Sequence, residues 1–255
     1  MGEPFNPFSL EGKNIIITGA SSGIGRKCAI DCSRMGAKVI CIGRNEERLQ
    51  ETLSQMDGDG HVKYTYELSM VDGIKELVSQ IVVEKGKLDG MICAAGIEKS
   101  APFKLLKPSD YEDLLRVNTI SAFELIRQAT SVKCINTPAS IVLISSITSV
   151  IARTSTAAYS ASKGALVSGA RVLAAELAKR KIRVNCISPG TILTPLMQNF
   201  LSQLSDEDYK KRVSGFPLGL GQTSDIANAC VYLLSEASRW VTGQNMIVDG
   251  GFSIV

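Results

Sequence analysis

The sequence predicts a three-layer, doubly wound α/β fold built on a seven-stranded parallel sheet. Three observations carry that expectation. Short apolar runs alternate with longer amphipathic ones almost throughout the chain. Most of the short runs are apolar at successive positions, as strands buried on both faces are. The first of them leads directly through a glycine-rich turn into an amphipathic stretch. Parallel strands need crossover connections, and helices on both faces then bury the sheet. A chain of 255 residues, 45% of them apolar, fits one domain of this kind over 1–255.

Taken in order, strands are expected at 14–18, 38–43, 62–67, 90–93, 140–144, 183–187 and 246–248, where β-branched and apolar residues cluster between turn formers. Helices are expected at 24–35, 46–55, 71–83, 109–133, 159–179 and 224–234, from apolar positions recurring at helical spacing. No internal repeat or low-complexity linker interrupts them. The segment 191–221 is polar, mixed in pattern and rich in turn residues, and is expected to form a substrate lid. Leu193, Leu196, Met197, Phe200 and Leu204 would give it an apolar inner face, or would anchor a helix.

Charge narrows the function classes. The 28 basic and 25 acidic residues leave a net charge of +3, spread along the chain, so nothing demands nucleic acid or an anionic membrane. No run reaches the roughly 18 apolar residues of a membrane helix, and the start has no basic stretch followed by an apolar one. A cytoplasmic protein away from membranes is expected. The 7 cysteines form no C-x-x-C pair and have only His61 for company, so core thiols are expected and a metal site is not.

After the first strand comes Thr18-Gly19-Ala20-Ser21-Ser22-Gly23-Ile24-Gly25, opening a helix. Glycines there let the backbone approach a diphosphate at a helix N-terminus. The Lys-Ser/Thr of a nucleotide-triphosphate loop is missing, which turns the reading toward a dinucleotide. The second strand ends Ile42-Gly43-Arg44, with no carboxylate before Glu46. A carboxylate at that strand end favours the ribose hydroxyls of NAD(H), whereas a guanidinium suits a 2′-phosphate. NADP(H) is therefore the expected cofactor, with NAD(H) as the alternative.

Tyr159 and Lys163 stand four residues apart at the start of a helix, on one face. A free phenol, with a pKa near 10, is ionised to only about one part in a thousand at neutral pH, and a nearby ammonium favours the phenolate. Such a pair suits proton transfer. Thirteen residues before Tyr159, Ser146 follows the strand 140–144, so its hydroxyl should emerge at the sheet edge where this fold class binds ligand.

The combination of Thr18 to Gly25, Asn118, Ser146, Tyr159, Lys163 and Ser188-Pro189-Gly190 resembles the short-chain dehydrogenase/reductase family, a Rossmann-type fold, across nearly the whole chain. The resemblance implies that Tyr159 is the acid or base, that Ser146 orients the substrate oxygen, that Lys163 holds the nicotinamide ribose and tunes Tyr159, and that Asn118 supports a water-linked proton relay. It implies cofactor contacts from Gly19, Ser21, Ser22, Gly23, Ile24, Gly25 and Arg44 at the first two strands. It implies adenine contacts from Glu67 and Leu68, lining of the adenosine side by Ala94, Ala95 and Gly96, and nicotinamide-side contacts from Pro189, Gly190, Thr191 and Thr194. The end from Val241 to Gln244 and on to Asp249-Gly250-Gly251-Phe252 resembles the part through which family members form homotetramers.

The chain departs from the family pattern at Cys93-Ala94-Ala95-Gly96, where many members have Asn-Asn-Ala-Gly, and at Glu67, where Asp is usual. Ser22 stands where many NADP-using members carry a basic residue. Cofactor binding is expected to survive the departures at 93–96 and 67, while loss of the Asn side chains is expected to loosen the 94–96 loop or alter its strand-edge hydrogen bonds. The implied substrate is a small carbonyl compound or alcohol: a 3-oxoacyl thioester, or else a sugar, polyol or other secondary alcohol used with NAD(H). A non-catalytic dinucleotide-binding scaffold is the reading of another class, since such a fold alone does not establish chemistry.

Overall fold

The computed structural model describes residues 5–255. Strands β1 (Asn14–Thr18), β2 (Lys38–Gly43), β3 (Val62–Thr65), β4 (Leu88–Cys93), β5 (Ile135–Ile144), β6 (Ile182–Pro189) and β7 (Asn245–Val248) form one sheet. Its order is β3-β2-β1-β4-β5-β6-β7, and every neighbouring pair is parallel. The chain winds outward from β1 to β3 and then crosses back to place β4 on the other flank of β1. That reversal opens a crevice beyond the C-terminal ends of β1 and β4. Thr18 lies level with Ile42 on one side and Cys93 on the other, so three strand ends face the crevice together.

Successive side chains of a strand point to opposite faces, which splits the apolar runs between two cores. Ile16, Ile40, Ile42, Met91, Ile141 and Leu143 pack with Leu77 and Ile81 of α3 (Ile74–Lys85), Leu125 of α5 (Ser121–Ala129) and Leu166 of α6 (Ala157–Leu177). Ile15, Ile17, Val39, Ile92, Val142 and Ile187 pack with Cys28 and Cys32 of α1 (Gly23–Arg34) and Ile226 and Cys230 of α9 (Thr223–Leu234). Each such side chain contributes about 1.5–3 kcal/mol by leaving water. The thiols behave as small apolar groups, and all but Cys134 are buried.

The remaining helices are α2 (Glu46–Leu53), α4 (Pro108–Leu115), α7 (Pro195–Leu201) and α8 (Asp206–Val213). Among the described residues no helix is long and apolar enough to cross a membrane.

Several bounds differ from the sequence expectation for physical reasons. The strand expected to reach 67 stops at Thr65, because the Glu67 carboxylate turns to accept from the Ser69 amide. β5 begins at Ile135 rather than 140, since Ile135 pairs with Leu88 ahead of a register shift that an apolar pattern does not reveal. The helix expected over 109–133 is broken by a wider π turn over Arg116–Ile120 and ends at Ala129. In that turn the Ser121 hydroxyl donates to the Val117 carbonyl at 2.6 Å, and the Thr119 hydroxyl donates to the Ser162 carbonyl at 2.8 Å. Buried polar groups here override helical periodicity, as they do at many π bulges near functional sites.

The segment 191–221 contains α7 and α8. Its ends are clasped by a parallel bridge between Ile192 and Gly221, with the Leu193 amide donating to the Gly221 carbonyl at 2.8 Å. Leu201 and Phe216 anchor the segment in the protein, while Leu196 and Phe200 remain exposed.

Candidate active site

The turn after β1 takes its shape from its glycines. Gly19 has φ +68° and Gly23 φ +53°, the left-handed region that costs other residues about 1–2 kcal/mol. A side chain on Gly19 would also stand 2.9 Å from the Ala95 amide nitrogen, and one on Gly25 would overlap the Gly19 carbonyl. Ser22 caps α1 in extended geometry without using its side chain, and the first turn carries no acidic residue. Its amides and the positive helix end are therefore left for an anion. This cradle fits a dinucleotide diphosphate.

Arg44 and Glu67 meet at the ends of β2 and β3, where the guanidinium donates to Glu67 Oε2 at 3.3 Å. Burial raises the Glu67 pKa, but the Ser69 hydrogen bonds and Arg44 outweigh it and hold the carboxyl below its usual range. Leu68 beside it is buried.

The 94–96 loop is held by a group that motif reading missed. The Thr18 hydroxyl accepts from the amides of both Ala94 and Ala95 at 3.1 Å. Loosening of this loop was expected from the absent Asn side chains, and two hydrogen bonds to Thr18 supply the restraint instead.

The adjacent serines separate cleanly. Ser145 is committed to structure, its hydroxyl donating to the Lys163 carbonyl at 2.8 Å. Ser146 holds its oxygen at the strand end, where it accepts from the Thr148 amide at 3.2 Å and the Thr148 hydroxyl at 3.1 Å. Tyr159 enters from the first turn of α6 and is half-buried. Burial pushes its pKa up to about 12, aided by Glu98 and partly offset by the Ser146 hydroxyl and Arg153.

Lys163 follows one turn later, almost wholly buried. Its ammonium donates to the Ile144 carbonyl at 2.8 Å and lies 5.9 Å from the Tyr159 ring centroid. Burial lowers the Lys163 pKa to about 8, against the opposing pull of Cys186, Cys93 and Glu98. The sequence argument had this ammonium favouring the phenolate. In this geometry burial is the largest influence on the phenol and raises its pKa, outweighing the groups that lower it.

Asn118 lies in the π turn, buried, where its side-chain amide donates to the Ile97 carbonyl and the Ser162 hydroxyl, both at 2.9 Å. Its Oδ1 accepts from the Ile97 amide at 2.8 Å. A side chain on Gly96 would meet Asn118 Oδ1 at 3.1 Å and Lys163 Nζ at 3.3 Å, so both groups converge on bare backbone. Ser162, absent from the sequence reading, links this network to α6 with no motif to announce it.

The far end of the crevice closes over the glycine turn. Gly190 donates its amide to the Val248 carbonyl at 2.9 Å, and a side chain there would strike the Asp249 backbone. Thr191 follows at the start of the 191–221 segment, and Thr194 caps α7 by accepting from the Met197 amide at 3.2 Å. The Thr194 methyl lies 3.2 Å from where a side chain on Gly23 would begin. Residues far apart in sequence thus enclose one cleft, with the glycine turn at one wall and Ser146, Tyr159 and Lys163 at the edge of another strand.

A switch-point crevice with a diphosphate cradle and an adjacent hydroxyl, phenol and ammonium defines the class of nicotinamide-nucleotide oxidoreductases. Comparison with known proteins makes the assignment specific. A family model described as enoyl-(acyl carrier protein) reductase matches residues 19–253. A glucose 1-dehydrogenase of Gluconobacter oxydans is 35% identical over 248 residues, covering 95% of this chain and 92% of that one. A 3-oxoacyl-[acyl-carrier-protein] reductase of Thermotoga maritima is 32% identical, covering 96% and 99%. A crystal structure from Beutenbergia cavernae, described as an NAD(P)-dependent gluconate 5-dehydrogenase with NADP at low occupancy, superposes with a TM-score of 0.87. It is 30% identical, over 98% of this chain and 100% of that one. The chain belongs to the short-chain dehydrogenase/reductase family, and it is an NAD(P)-dependent oxidoreductase.

Proposed function

We propose that the protein interconverts a ketone and a secondary alcohol, with Tyr159 as the proton donor and acceptor. The observation that carries this reading is the convergence of Ser146, Tyr159 and Lys163 at a strand edge that opens onto the glycine cradle. The bound nicotinamide supplies or takes up the hydride. Tyr159, kept protonated across neutral pH by its raised pKa, donates its proton to the substrate oxygen as an alcohol forms; in the reverse direction it first releases that proton to the relay, and the phenolate then withdraws the alcohol's. Ser146 orients that oxygen with its hydroxyl. Lys163 holds the nicotinamide ribose, and Asn118 connects the ammonium side to a water-linked relay.

Gly19, Ser21, Ser22, Gly23, Ile24 and Gly25 would hold the diphosphate, Glu67, Leu68, Ala94, Ala95 and Gly96 the adenosine, and Pro189, Gly190, Thr191 and Thr194 the nicotinamide side. NADP(H) is the preferred cofactor in this reading: Arg44 is exposed beside the ribose position and, among the described residues, engaged only by Glu67, a partner that a 2′-phosphate can displace. The segment 191–221 serves as a substrate lid on a single domain. The protein works in the cytoplasm as a homotetramer, for which the exposed Trp240, Ile254 and Val255 near the C-terminus provide apolar surface. Both 3-oxoacyl thioesters and sugars or polyols remain in the substrate class, as relatives with names of each kind support.

Replacing Tyr159 with Phe removes the proton and little volume. Turnover should fall by about a hundredfold or more while NADPH still binds. Retained turnover in Tyr159→Phe would rule out the mechanism.

A further inference from the structure

The cleft carries a second chemical feature that proton and hydride transfer leave unused. Arg212 lies in the last turn of α8, its guanidinium 5.1 Å from the centroid of the Phe200 ring. That distance lies within cation–π reach, so the ring face attracts the charge. Its Nε is buried and donates to nothing, and among the described residues no carboxylate comes within ion-pair distance of it. A buried donor without an acceptor costs about 1–3 kcal/mol. A basic residue at a helix C-terminus complements the helix dipole, and Lys210 and Lys211 do that from the surface. That role gives no reason to bury the Nε of an arginine beside an aromatic ring and leave it unpaired.

Arg153 stands in the loop after β5, close enough for its charge to act on both Tyr159 and Arg212. This loop is pinned by the Ala101 amide donating to the Ser155 carbonyl at 2.9 Å and by the Thr156 hydroxyl donating to the Arg153 carbonyl at 2.8 Å. Arg153 is exposed and has no ion-pair partner among the described residues. Its charge bears on both Tyr159 and Arg212, lowering the pKa of each, although burial is the larger influence on both. Glu98 acts on the same two groups in the opposite sense, but it is exposed and forms an ion pair with neither arginine. Two guanidinium groups against one carboxylate leave the space in front of Tyr159 positive.

We propose that Arg212, supported by Arg153, binds a carboxylate of the substrate, so that the protein acts on an oxo or hydroxy acid in preference to its neutral counterpart. The planar fork of a guanidinium matches a carboxylate through two parallel N–H···O bonds. The arriving anion would give the Arg212 donors the acceptor they lack and offset its repulsion from Arg153. The inference rests on the reading of Tyr159 as the reacting group, because it assumes that substrate lies between Tyr159 and α8.

The test is ligand binding to the NADP⁺-loaded protein by calorimetry, with gluconate as the hydroxy-acid probe and sorbitol as its neutral counterpart of equal chain length. Gluconate should bind at least tenfold more tightly than sorbitol. In Arg212→Met that advantage should fall to within about threefold, with Arg212→Lys intermediate and Arg153→Gln giving a smaller loss. Retained NADP⁺ affinity in each variant shows that the fold is intact. Equal binding of the two probes, binding of neither, or an unchanged preference in Arg212→Met would overturn the proposal. Inorganic phosphate binding more tightly than gluconate would overturn the carboxylate assignment in favour of a phosphate. Binding does not require proton transfer, so a Tyr159→Phe variant that still turns over would sink the mechanism and leave this result standing.

Discussion

The two walls of the cleft are built on opposite principles. At the glycine turn the backbone is the recognition element: Gly19 and Gly25 sit against backbone that a side chain would strike, and Gly23 is held by its left-handed φ of +53°. Across the cleft the 191–221 segment is an excursion of two short helices, clasped at its ends by the Ile192–Gly221 bridge and anchored by Leu201 and Phe216, with Leu196 exposed. Its recognition elements are side-chain tips such as the guanidinium of Arg212. One wall has a backbone geometry that a side chain on Gly19 or Gly25 would break. The other presents more exposed side chains, whose replacement disturbs fewer packed neighbours.

The largest effect should come from breaking the rigid wall. Gly25→Val drives a branched side chain into the Gly19 carbonyl. NAD(P)H affinity should fall by more than a hundredfold, with a stability loss of about 1–3 kcal/mol, read by fluorescence titration and chemical denaturation. Native cofactor affinity in Gly25→Val would show that the turn yields more easily than its geometry implies.

Lys163 sits where the two walls meet, and its effect depends on pH. Its pKa is lowered to about 8 in the folded protein, against about 10.4 for a free lysine. Between those values the unfolded chain holds more protons than the native one, so this group's contribution to stability rises with pH and its penalty is greatest below pH 8. Lys163→Met removes the penalty together with the bond to Ile144. The variant should be more stable than the parent at pH 7, by up to about 3 kcal/mol, and that margin should shrink between pH 8 and 10 in denaturant titrations of the cofactor-free protein. A margin that is constant with pH would mean that the ammonium is better solvated than its burial implies.

A smaller effect belongs to the edge of the rigid wall, where recognition passes to side chains. Arg44→Ala should weaken NADPH binding about tenfold, the worth of one charge-assisted contact, and leave NADH within about twofold. Equal NADPH affinity in parent and variant would remove Arg44 from the cofactor site. The smallest effect is expected on the variable wall: Leu196→Ser, at an exposed position, should change stability by no more than about 0.5 kcal/mol. A cooperative loss larger than that would show the segment to be as tightly integrated as the glycine turn.

Much of this was legible in the residues. The strand centres, the glycine turn and the Tyr159–Lys163 spacing all follow local rules, in which runs of successive apolar residues, left-handed glycines and one helical turn leave marks along the chain. The π turn at Asn118, the early start of β5, the Thr18 bonds to the 94–96 loop and the division of labour between Ser145 and Ser146 left none. Each depends on a partner distant in the chain: Ile97 for Asn118, Leu88 for Ile135, Ala94 for Thr18 and Lys163 for Ser145.

By itself, then, the sequence determined the doubly wound sheet, the placement of the diphosphate turn and the presence of an acid–base set, because backbone sterics and hydrophobic period act between near neighbours. Tertiary structure decided how the two serines divide their hydrogen bonds, how far burial raises the phenol's pKa, and that Arg212 meets Phe200 with its Nε unpaired. Burial, charge and hydrogen-bond partnership are properties of what folding brings together, and separation along the chain does not encode them.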